Sequence, residues 1–128
     1  MDSASSDDAL SNHYATAVHA NGYLYGFHGR QEYNPGFRSV ELTTGAVKWS
    51  VDRFHAGTVT LAGDKLVILK ETGELILAGA TPQAFKPLAQ AQILPPTIRA
   101  TPALSDGFLY VRNTDTPNAI LACFDLRP

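Results

Sequence analysis

Four histidines and a single cysteine are the side chains here with the widest chemical repertoire. His13, His19, His28 and His55 stand 6, 9 and 27 positions apart, whereas two ligands on one helix face recur every three or four residues and two on one strand face every second residue. The spacing joins no pair into a metal site, so each reads as a surface or loop residue. Cys123 is alone, which rules out an intrachain disulfide and leaves a small buried hydrophobe on a strand as its expected role. No Gly-x-Ser-x-Gly elbow, phosphate loop or dinucleotide glycine motif occurs. The densest polar stretch is HGRQEYNPGFR at 28–38, which gathers His28, Arg30, Glu32, Tyr33 and Arg38. Loops on rigid scaffolds carry binding residues. Here Arg30 or Arg38 would pair with an anionic group on a partner, and Tyr33 would offer it a flat surface. The plainer reading has Arg30 and Glu32 solvated and Asn34-Pro35-Gly36 as a turn. Arg99 and Arg112 either face a central channel or snorkel at a sheet edge.

The elements that hold these residues are constrained by composition. The 128 residues suit one domain, and 45% apolar content supports a moderate core. With 17% charged residues and a net charge of −2, the chain lacks the basic footprint of nucleic-acid binding. Its longest apolar runs are too short to span a bilayer. The opening MDSASSDDALSN is acidic and polar, unlike an export signal, and residues 1–12 are expected to be a flexible segment. The compartment is not fixed by these features. Ten glycines and eight prolines, spread along the chain, punctuate many short strands.

Those strands repeat. NGYLYGF at 21–27, GDKLVIL at 63–69 and DGFLYVR at 106–112 are each a polar-glycine turn followed by an apolar run. Leu24, Leu66 and Leu109 align at steps of 42 and 43, while SVEL at 39–42 and CFDL at 123–126 lie 84 apart. Asn, Asp and Gly tolerate the positive φ of tight hairpin turns. Each unit therefore reads as strand, turn, strand, variable loop, strand and a further extended piece. Periods near 40–50 residues with four strands per unit are those of propeller blades. LVIL at 66–69 and LILA at 75–78 are continuous apolar runs, as strands covered on both faces require. Between them Gly73 favours a hairpin over a helix. TPQAFKPLAQAQIL at 81–94 carries Pro82 and Pro87, which predicts a loop or irregular strand with at most one helical turn. The expectation is an all-β chain, a partial β-propeller of about two and a half to three four-stranded antiparallel blades, over 13–54, 55–97 and 98–128.

The segment SVELTTGAVKW, 39–49, supplies a motif: small-x-acid-x-x-Thr-Gly-x-x-x-Trp, met by Ser39, Glu41, Thr44, Gly45 and Trp49. It resembles the blade signature of the pyrroloquinoline-quinone-like propeller repeats, found in quinoprotein dehydrogenases and in a non-catalytic outer-membrane assembly lipoprotein with the same eight-bladed fold. The resemblance covers roughly 15–128. It implies that the acid and Thr-Gly organise a corner and that the tryptophan docks between adjacent blades. A wide, flat indole suits the wedge between twisted sheets. The second repeat loses the motif, and the third begins it with Cys123 and Asp125.

The resemblance also implies what to look for in chemistry. Quinone-binding members need a stacking tryptophan, calcium ligands, a catalytic aspartate and often paired cysteines. None of these carries over to a position of this chain, so no catalytic, cofactor-binding or metal residue is assigned, and no pyrroloquinoline quinone or calcium is expected. Propellers close with four to eight blades, more than this length holds. The first and last blades should each expose an apolar face and the last an unpaired edge, which marks an interface. The expected partner is protein, either remaining blades or further copies of the chain, three of which would supply about eight blades. The expected role is a non-catalytic binding or assembly scaffold. The alternative is part of a quinoprotein-type oxidoreductase whose active-site residues lie on other blades.

Overall fold

A computed structural model of the chain describes residues 10, 16–29, 34–98, 101–113 and 120–127. Their regular structure is all strand. Strands β1 (Val18–Ala20), β2 (Tyr23–His28), β3 (Gly36–Glu41) and β4 (Val47–Val51) form the first sheet. The second holds β5 (Gly57–Ala62), β6 (Lys65–Lys70), β7 (Glu74–Gly79) and β8 (Pro87–Gln92). The third holds β9 (Ala103–Ser105), β10 (Phe108–Arg112) and β11 (Leu121–Asp125). Each sheet is an antiparallel meander in chain order.

Turn chemistry sets these meanders. Asn21 and Gly22 adopt φ of 53° and 86°, and Asp106 and Gly107 repeat the pair at 52° and 82°. Two successive positive φ values make a turn whose twist matches its flanking strands. The end of each third strand is then tied back to that hairpin. Leu42 N donates to Gly22 O (2.9 Å), Ala80 N to Asp64 O (2.9 Å) and Leu126 N to Gly107 O (2.8 Å). Between sheets the connecting chain is tied to the loop it passes: Phe54 N donates to Pro35 O and Ile98 N to Glu71 O, both at 2.9 Å.

The two larger clusters of the core are separated by the second sheet. Leu66, Ile68, Ile76 and Ala78 pack against Tyr25, Phe27 and Phe37 of the first sheet. Val67, Leu69 and Leu75 pack instead with Leu109 and Val111 of the third. Successive strand residues point to opposite faces, so the unbroken run 66–69 is apolar because both faces of β6 are covered. All four of its residues are at most 2% exposed, and each contributes about 1.5–3 kcal/mol by leaving water. The outer face of the first sheet is partly covered by Leu10, buried with Val40 beside Leu24; the rest of 1–9 and 11–12 lies outside the described residues.

Two expectations are refined. Within 81–94 the chain forms a loop and then the complete strand β8, whose pairing with β7 shifts register between Leu77 and Ala78. Pro87 is tolerated because it opens an edge strand, where a missing N–H costs no ladder bond. The loop of 28–38 is shorter than expected, since pairing continues through His28↔Gly36 and Gly26↔Arg38. His28 and Arg38 are strand residues; Arg30, Glu32 and Tyr33 lie outside the described residues.

Candidate functional site

The most elaborate side-chain arrangement lies where the first sheet meets the second, and it begins at the Thr-Gly corner after β3. Gly45 has φ of 76°, and its N–H donates to Glu41 O at 2.9 Å while Glu41 N donates to Ala46 O at 2.8 Å. Thr44 Oγ1 donates to Glu41 Oε1 at 2.6 Å and accepts from Ala46 N at 3.2 Å. The carboxylate, hydroxyl and glycine thus close one corner and turn the chain into β4.

This corner delivers Trp49. Its Nε1 donates to Thr81 O, in the β7–β8 loop of the second sheet, at 2.8 Å. Its ring lies 5.5 Å from Phe85 of that loop, 5.7 Å from Phe37 and 6.0 Å from Tyr25. Phe54 stacks on Phe37 at 5.1 Å and meets Phe85 edge-on at 5.6 Å. Lys70 Nζ sits 4.1 Å above the Phe54 ring and 3.1 Å from Glu74 Oε1. The aromatic rings form one cluster of stacked, tilted and edge-on pairs across the two sheets. Phe54 and Phe85 carried no motif, and their shared seam was hidden by the loop reading of 81–94.

Ser39, fully buried opposite Trp49 in the ladder, is the small residue of the motif. Its Oγ has no partner in hydrogen-bond geometry, and it lies against the buried Tyr25 across the ladder. Burial raises the Tyr25 phenol pKa above its ordinary value.

The remaining candidates are dispersed. His19 Nε2 accepts from Gly22 N at 3.1 Å. His55 sits between sheets at φ of 74°, its N–H donating to Asn34 Oδ1 at 2.9 Å. Arg38 Nε donates to Ser50 Oγ at 3.3 Å. Arg112 is exposed on β10 and reaches Asn113 O at 3.4 Å; His13 and Arg99 lie outside the described residues. Asp125 is gripped by Arg127, whose Nε and Nη2 each lie 2.9 Å from the carboxylate. That guanidinium holds the Asp125 pKa below the usual range.

Cys123 corrects an expectation, for it is exposed rather than buried. It alternates with the inward Ala122 and Phe124 on β11 and so faces away from the second sheet. The same outer surface bears Tyr110, 43% exposed, and Leu121, 75% exposed.

Among the described residues, no three His, Cys, Asp or Glu side chains converge as a metal requires. The Trp49 indole is bonded to Thr81 and packed among the rings of the seam. No helix among the described residues is long and apolar enough to cross a membrane.

No family model matches the chain, and no curated protein matches it. Among solved structures, the fold matches a europium-containing methanol dehydrogenase with a TM-score of 0.67 at 15% identity, over 92% of this chain. The three sheets are blades of a partial β-propeller. The chain spans 24% of the length of that dehydrogenase. The aromatic cluster is thus the seam between the first and second blades, and the second and third blades meet at another.

Proposed function

We propose that the chain is a non-catalytic propeller arc that works as a binding or assembly scaffold, with further blades or further copies of itself as partners. The observation that carries this reading is the outer face of the third blade. Leu121, Tyr110 and Cys123 stand exposed there, on the side opposite the packed Leu109 and Val111. Arg112, paired across from Leu121, and Asp125 share that face, so its apolar residues are flanked by charge, a surface open to a neighbouring blade. Among the described residues this sheet has three strands where its neighbours have four, with β11 at an edge. Coverage of about a quarter of a whole dehydrogenase chain agrees with an arc that needs neighbours.

Sedimentation velocity over a hundredfold concentration range tests the reading. The chain should associate, and Leu121→Lys with Tyr110→Lys should shift it toward monomer while leaving its circular dichroism unchanged. A wild-type chain that stays monomeric throughout would remove the basis for the proposal. The likeness to a methanol dehydrogenase supports a second reading, in which the chain is part of an oxidoreductase and the reactive residues belong to other blades. Adding pyrroloquinoline quinone with calcium or a lanthanide distinguishes the two: a stoichiometric bound chromophore on this chain would favour the enzyme.

A further inference from the structure

The two seams are built on the same ladder and filled differently. In the first blade, the β3–β4 pairing shifts register between Ser39 and Val40, placing Trp49 opposite Ser39 and Val47 opposite Val40. In the second, the β7–β8 pairing shifts between Leu77 and Ala78, placing Ala89 opposite Leu77 and Pro87 opposite Ala78. Ala89 therefore holds the position of Trp49, one blade on. Leu77 across from it packs toward the third blade, just as Ser39 points toward the second, so the methyl group faces the wedge that an indole fills in the first seam.

An open cavity of about 280 Å³ lies at that place, lined by Leu75, Leu77, Ala89, Ile93, Phe124 and Leu126 together with the polar Gln90 and Asp125, and it meets solvent along the exposed β8. A second space of about 210 Å³ adjoins it through the shared Leu77 and Leu126. Trp49 is likewise only half-buried in the first seam, so a ring of its size can lie in an open space of this kind. Its walls belong to two blades of one chain, and it is continuous with the apolar core that joins them.

We infer that this cavity is a binding site for a small planar aromatic molecule of indole size, which occupies in the second seam the place that Trp49 occupies in the first. Recognition rests on shape and apolar contact: Phe124 supplies a ring face or edge, the leucines supply the walls, and the short side chains of Ala89 and Ala91 leave the room.

Free indole, titrated into the full chain while methyl NMR spectra are recorded, tests the site. Saturable shifts are expected in the Leu75, Leu77, Ala89 and Leu126 methyls, with nuclear Overhauser contacts from indole protons to the Ala89 methyl. Ala89→Trp should weaken indole binding at least tenfold by filling the space. Saturation without contacts to Ala89, shifts centred on the first seam, or unchanged affinity in folded Ala89→Trp would each overturn the assignment. Should that variant not fold, the wild-type contacts decide alone. If the same methyls shift on raising the chain concentration without indole, a side chain of a second copy fills the cavity and the small-molecule site is wrong.

Discussion

Trp49 joins two blades through one hydrogen bond and a set of ring contacts, and the two contributions separate by substitution. Trp49→Ala removes both and should cost about 3–5 kcal/mol in urea melts; a loss under about 1 kcal/mol would mean that the ring holds nothing together. Trp49→Phe keeps a ring but leaves Thr81 O without its donor, at a cost nearer 1–3 kcal/mol. Tyr25 gives a pH signature. Its phenol pKa is raised in the folded chain, first by burial, so its contribution to stability is complete below the unfolded value near 10. It is lost as pH rises through the higher folded value. Tyr25→Phe should therefore flatten the alkaline decline in stability. The tryptophan motif was legible because Glu41, Thr44, Gly45 and Trp49 act within one corner, close in sequence. Phe85, 36 positions beyond Trp49, was not, because only the tertiary fold brings the two rings together.

At the level of strands and turns, glycine positions divide by what surrounds them. A Cβ on Gly73 would collide with Leu94 O and lie 2.7 Å from Gln92 Nε2, at φ of 91°. On Gly63 it would meet open space, with φ of 62° the sole penalty. Gly73→Ala should thus lose at least about 3 kcal/mol, beyond the roughly 1–2 kcal/mol of left-handed backbone alone expected for Gly63→Ala. Equal losses in thermal melts would contradict this contrast. The hairpins were readable because Asn21-Gly22 and Asp106-Gly107 carry their own turn geometry. β8 was only half readable: its six residues are all exposed, so no apolar period marks it, and Pro82 and Pro87 argue locally for a loop. Its place is set by pairing with β7, which is invisible to a local pattern. Cys123 was misjudged for a related reason, since burial on a blade strand depends on whether a neighbouring blade covers that face.

At the scale of the whole molecule, and among the described residues, the middle blade alone has another blade packed on each face. Residues adjacent in the chain accordingly serve separate cores: Ile68 belongs to the first cluster and Leu69 to the second. Truncating either to Ala should cost about 2–5 kcal/mol, and in a double-mutant cycle the coupling should stay within about 0.5 kcal/mol, as for sites without shared partners. A large coupling would mean that the two cores behave as one. The arrangement also orders the amide protons by how slowly they trade with solvent. Those of β6 and β7 can open only when contacts on both sides are given up, so deuterium should enter them last, while β1 and β11 at the flanks of the arc should fill first. Protection would then be greatest in the inner strands of the middle blade and fall toward the outer blades and toward exposed edge strands such as β8, a profile set by position in a row of stacked units rather than by the strength of any single strand.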